Sequence, residues 1–103
     1  MYTLKETAIY TKTINALFSV DEQGELHTYI ANNATAGDVI PNSGGCRKLR
    51  WSRAGMGKRG GVRVIYYNQL DNGLIVLLLA YPKAKQENIP SHILKQIVKE
   101  LEQ

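Results

Sequence analysis

The 103 residues allow one small core and predict a single domain over residues 1–103. The longest apolar run, Leu74 to Tyr81, is far too short to cross a bilayer and predicts no membrane partner. The net charge of +4 hides a division: Val39 to Leu70 holds no Asp or Glu but carries Arg47, Lys48, Arg50, Arg53, Lys58, Arg59 and Arg63, seven of the 13 basic residues. A cationic region on an otherwise mildly acidic chain predicts salt-dependent binding of a phosphate polyanion, with a solvated basic face as the alternative.

Thr3 to Ile9 reads as a short first strand. From Tyr10, the apolar residues Ile14, Leu17 and Phe18 suit one helix face. Ser19-Val20-Asp21-Glu22 is a capping box that opens a second helix, with Leu26, Tyr29 and Ile30 on its apolar side. Asn32-Asn33 and Gly37 end it, and so tight a junction predicts an antiparallel helical hairpin. Pro41 to Gly45 is a turn-rich connection. Arg47 to Trp51 then alternates, with Leu49 and Trp51 on one face and Lys48 and Arg50 on the other. Val62 to Leu70 reads as a strand, and Asp71-Asn72-Gly73 as a hairpin turn in which Asn-Gly accepts positive φ. Leu74 to Tyr81 suits a central strand covered on both faces, ended by Pro82. A last helix begins near Pro90, with Ile93, Leu94, Ile97, Val98 and Leu101 as its stripe. The fold class is therefore α+β: a small antiparallel sheet with an N-terminal helical hairpin and a C-terminal helix.

Between the two basic strands lies Gly55-Met56-Gly57-Lys58-Arg59-Gly60-Gly61. Its Gly-x-Gly-x-x-Gly spacing matches a dinucleotide fingerprint, but that motif must lead into a helix, and here Val62-Arg63-Val64-Ile65 follows. A P-loop requires glycine five residues before Gly57, where Ser52 stands, and Ser or Thr at Arg59. The stretch reads instead as a hairpin loop whose glycines let backbone approach a ligand while Lys58 and Arg59 grip an RNA backbone.

The side-chain inventory narrows the chemistry. Cys46 is the lone cysteine, with no Cys/His/Asp motif around it, and reads as a small core residue. With nothing near Met1 ordered as a signal peptide, it points to a reducing cytoplasm. His27 and His92 fall in helices without metal-ligand spacing, and neither a zinc motif nor a Ser-His-Asp set is present, so no metal or cofactor is expected. Lys, Arg and Tyr remain. They suit RNA cleavage by its own 2′-hydroxyl, which needs a base, cations for the phosphoryl oxygens and an acid for the departing 5′-oxygen. Arginine offers a permanent forked cation, and a lysine crowded by cations approaches a useful base or acid. Strand parity lets Lys48, Arg50, Arg63 and Lys83 converge on one end of the sheet if their strands are neighbours. Tyr66, Tyr67 and Tyr81 read either as sheet packing or as surfaces for base stacking.

Three joined stretches carry a resemblance: Gly37-Asp38-Val39-Ile40-Pro41, Gly44-Gly45-x-Arg47-Lys48-Leu49-Arg50-Trp51, and Gly57-Lys58-Arg59-Gly60-Gly61-x-Arg63-Val64-Ile65-Tyr66-Tyr67. Together with Glu6-Thr7 and Tyr81-x-Lys83, they make the chain closely resemble the RelE/HigB toxins of bacterial toxin–antitoxin pairs. That resemblance implies a microbial-RNase-like fold and a metal-free endoribonuclease that cuts mRNA in the ribosomal A site. It implies contact with 16S rRNA of the small ribosomal subunit and a cognate antitoxin, in this branch usually a helix-turn-helix protein. Operator DNA would be reached only through that antitoxin. By the same resemblance Arg63 stabilises the phosphoryl transition state, Lys48 and Arg50 occupy positions that include a candidate general base, and Lys83 is a candidate acid or phosphate clamp. Arg47, Arg53, Lys58, Arg59 and Tyr81 would contact RNA. Residues 84–89 lack the aromatic that stacks on the message in the archetype. Two other readings use the same patch: a non-catalytic ribosome or nucleic-acid binder, and a module whose basic face serves only an acidic protein partner.

Overall fold

Thr7 ends the first strand and starts the first helix. In this computed structural model, which describes residues 2–52, 61–85 and 89–102, its hydroxyl accepts from the Tyr10 amide at 3.1 Å and donates to the Leu78 carbonyl at 2.8 Å. Strand β1 therefore stops at Glu6 (Thr3–Glu6), and α1 runs Ala8–Leu17. The strand expected to reach Ile9 is cut short because a threonine cap satisfies the helix's free amides. Ser19 and Glu22 form the expected capping box, opening α2 (Val20–Asn32). Side chains link the two helices: the Tyr10 hydroxyl meets His27 Nε2 at 3.0 Å, and Gln23 donates to Asn15 at 2.9 Å.

Past α2 come β2 (Asp38–Val39), β3 (Cys46–Trp51), β4 (Val62–Gln69), β5 (Leu74–Pro82) and α3 (Ser91–Leu101). The Pro41–Gly45 connection closes around Ser43, whose hydroxyl donates to the Ile40 carbonyl at 2.7 Å and accepts from the Cys46 amide at 3.0 Å. Between β4 and β5 a 3₁₀ turn (Leu70–Asn72) leads to Gly73 at φ 68°. Within the expected Asp71-Asn72-Gly73 turn, positive φ falls on Gly73 and not on Asn72.

The five strands lie in the order β1-β5-β4-β3-β2. The neighbours from β2 to β5 are antiparallel, but β1 runs parallel to β5, with Thr3 opposite Leu74 and Glu6 opposite Leu77. The sheet is thus mixed, not purely antiparallel: β1 docks on the open edge of the last strand, with the rest of the chain serving as the long crossover that parallel pairing requires. An irregularity between Ile65 and Tyr66 places an extra residue on β5, and the apolar alternation there shifts by one.

Helices cover both faces of this sheet. Tyr10, Ile14, Leu26 and Ile30, at four-residue spacing on α1 and α2, bury against Val62, Val64, Tyr66, Ile75 and Leu77. Leu94 and Val98 of α3 bury against the opposite face with Cys46, Ile65, Val76, Leu78 and Tyr81. Each such aliphatic burial stabilises by roughly 1.5–3 kcal/mol. Two members of the expected helical stripes stand out of the core: Tyr29 is 39% exposed and Ile93 46%. Among the described residues no helix is long and apolar enough to cross a membrane.

Candidate nucleic-acid interface

Register decides which cations meet. Arg50 is the direct partner of Arg63 across β3 and β4, and Lys48 faces Ile65 two positions along. Directly paired residues project on the same side of a sheet, so Lys48, Arg50 and Arg63 share the α3 face. On the far side of β4, Arg63 is the direct partner of Tyr81. A shallow cleft of about 270 Å³ opens here, lined by Ala36, Asp38, Lys48, Leu49, Arg50 and Arg63. Three of the four residues expected to carry chemistry thus line one concavity.

They differ in setting. Arg50 is exposed and Lys48 half-buried, whereas Arg63 is 8% exposed. The Arg63 Nη1 atom is buried without a hydrogen-bond partner, and so is the Tyr81 hydroxyl. Burial pushes the Tyr81 phenol up, the Arg63 charge opposing this in part, so the phenol is a neutral donor at ordinary pH. Gly61 makes room for the guanidinium: a Cβ there would lie 3.3 Å from Arg63 Nη1, and its φ of 122° is one that L side chains rarely adopt.

The other expected residues separate. Lys83 is exposed and outside the cleft, although its amide donates to the Gly61 carbonyl at 3.2 Å, which keeps its backbone at this end of the sheet. Arg47 lies on the opposite face by alternation, and its Nη1 donates to the Gly37 and Thr35 carbonyls at 2.7 and 3.3 Å. It fastens the α2–β2 connection rather than joining the cleft. Arg53, Lys58 and Arg59 lie outside the described residues. Base stacking does not fit the burial of two sheet tyrosines: Tyr66 is fully buried and Tyr81 is 4% exposed. Tyr67 is half-buried, and its hydroxyl donates to Glu102 at 2.6 Å. The partly exposed aromatic near this end of the sheet is Tyr29, tilted against Trp51 with ring centroids 5.3 Å apart.

Asp38 is the residue that sequence reasoning missed. It stands one position before the acid-free stretch, and the short strand β2 pairs it with Lys48. The cleft is therefore cationic with one carboxylate on its wall. A larger groove of about 880 Å³ lies at the other end of the sheet, lined by Arg47, Asn68, Asp71 and Glu102 among others. Its cation is already engaged and its two carboxylates repel anions, so size does not make it the better phosphate site.

No family model matches the sequence. Among the described residues no group of three or more His, Cys, Asp or Glu is placed to hold a metal ion. Cys46 is fully buried, and burial pushes its thiol up, away from the thiolate a nucleophile needs.

Proposed function

We propose that this protein is a ribosome-dependent mRNA endoribonuclease, a RelE/HigB-like toxin held in check by a cognate antitoxin. The observation that carries the reading is the cleft in which Lys48 and Arg50 stand beside a buried Arg63 whose Nη1 has no partner. A cation desolvated without an acceptor is costly, and an anion is what compensates it. A small α+β fold with a five-stranded mixed sheet and helices on both faces supports the reading only at the level of fold class.

In this mechanism Arg63 holds the non-bridging oxygens of the scissile phosphate and is stronger toward the more negative transition state. The 2′-oxygen attacks phosphorus as its proton passes to a base, for which Lys48 is the candidate. The P–O5′ bond breaks, and the 5′-oxygen takes a proton from solvent. The products are a 2′,3′-cyclic phosphate and a free 5′-hydroxyl, with atoms conserved and no oxidant or metal step required. Arg50 binds the neighbouring phosphate. Lys83, exposed beyond the cleft, serves as a clamp on the leaving strand.

The position of Lys83 also favours a second reading. With Lys83, the candidate acid for the 5′-oxygen, outside the cleft, the same surface suits a ribosome binder that does no chemistry. Controlled expression in bacteria separates the two. The toxin arrests growth and leaves messages cut within translated codons, and co-expression of its antitoxin restores growth. Unimpaired growth with intact messages, at high levels of soluble protein, excludes the nuclease.

A further inference from the structure

Two buried donors stand on directly paired residues of β4 and β5. Arg63 and Tyr81 are direct register partners on one face of the sheet, 8% and 4% exposed. The Arg63 Nη1 atom and the Tyr81 hydroxyl both lack a hydrogen-bond partner. Buried polar atoms in native proteins are nearly always paired, so two orphans on neighbouring residues require a reason. A phenylalanine would fill the Tyr81 site without burying an unpaired hydroxyl. The third orphan, Asn68 Oδ1, is an acceptor near the other end of β4, and its amide nitrogen is bonded to the Ala34 carbonyl. It does not belong with this pair.

We propose that Arg63 Nη1 and the Tyr81 hydroxyl form a two-donor site for one non-bridging oxygen of a phosphodiester. The proposal rests on reading the cleft as a phosphate site, and gives Tyr81 a different task from base stacking. An oxygen with two lone pairs accepts from both donors at once, the guanidinium supplying charge and the phenol direction. Arg63 lines the cleft with Lys48 and Arg50, and Tyr81 is its direct partner one strand further on. Burial raises the phenol, which keeps its proton available at neutral pH. The anion relieves the desolvation of both groups.

The test is titration of the purified protein, followed by NMR, with inorganic phosphate and separately with an uncleavable 2′-deoxy dinucleotide. Tyr81→Phe is expected to stay folded, with a denaturation midpoint equal to or above that of the parent, and to bind both probes roughly tenfold more weakly, the weight of one hydrogen bond to a charged acceptor. Binding by Tyr81→Phe equal to the parent's overturns the proposal. So does a lowered midpoint, which would give the hydroxyl a structural partner. If Arg63→Gln weakens binding and Tyr81→Phe does not, only the role of Tyr81 fails. If neither variant matters, the phosphate-site reading fails with it.

Discussion

Arg50 and Arg63 stand directly opposite each other across β3 and β4, two guanidinium groups on one face of the sheet. Like charges in directly opposed positions destabilise a strand pair. The pair costs folding energy in the free protein, and on the proposed reading a polyanion bound over this face would offset that cost.

Removing the buried member therefore separates stability from function. Arg63→Gln is expected to raise the thermal midpoint or leave it unchanged, and to lower message cleavage by about 10²–10³-fold, the loss typical of a deleted oxyanion donor. Calorimetry and a cleavage time course measure the two effects. A variant that is both destabilised and fully active contradicts the account.

Salt dependence should identify which cations touch RNA. Lys48→Gln and Arg50→Gln are each expected to reduce the slope of log affinity against log salt by about 0.7, one single-strand phosphate contact apiece. Lys83→Gln, outside the cleft and screened by solvent, is expected to change affinity by less than about threefold. Asp38→Asn should strengthen binding, because it removes the carboxylate from the cleft wall. Ribosome or RNA binding at several salt concentrations checks all four signs.

Tyr66 supports the site from behind. Its hydroxyl accepts from the Gly37 amide at 2.9 Å and donates to the Ala34 carbonyl at 2.8 Å, fully buried. Tyr66→Phe leaves the Gly37 amide unpaired, while the Ala34 carbonyl keeps the Asn68 amide, and should cost about 1–3 kcal/mol in urea unfolding. Gly37→Ala should destabilise too, since its Cβ would lie 2.9 Å from that hydroxyl. The two losses should not add, because both act on one contact.

His27 makes stability depend on mildly acidic pH. Burial lowers its pKa, the Glu6 charge opposing this in part, and its Nε2 meets the Tyr10 hydroxyl at 3.0 Å. Tyr10 is itself pushed up by burial, so it keeps its proton, and the native imidazole is neutral. The unfolded chain then binds the proton more readily. The contribution of His27 is complete above its unfolded value of about 6.5 and is lost as pH falls through the lower folded value. Urea midpoints at pH 7.5 and 5.5 should differ more for the parent than for His27→Gln, which keeps an acceptor and does not titrate.

Sequence reading succeeded where the cause is local. The Ser19–Glu22 capping box and the shared face of Lys48 and Arg50 follow from neighbouring residues, and a hairpin between β3 and β4 brings Arg63 beside them. It missed what distant parts of the chain decide. The parallel pairing of β1 with β5 depends on which edge the whole sheet leaves open. β2 is two residues long and has no pattern of its own, so the entry of Asp38 into the cleft was invisible. The burial of Tyr81 depends on where α3 packs, which decided between the two readings left open for it, packing and stacking, in favour of packing.

The most direct test of the nuclease reading is primer extension on a defined message in a purified translation mixture, comparing the parent protein with Arg63→Gln. The account predicts cuts within the A-site codon that require ribosomes, leave 2′,3′-cyclic phosphate ends and nearly vanish with the variant. Intact messages with the parent protein, or equal cutting by Arg63→Gln, would contradict it.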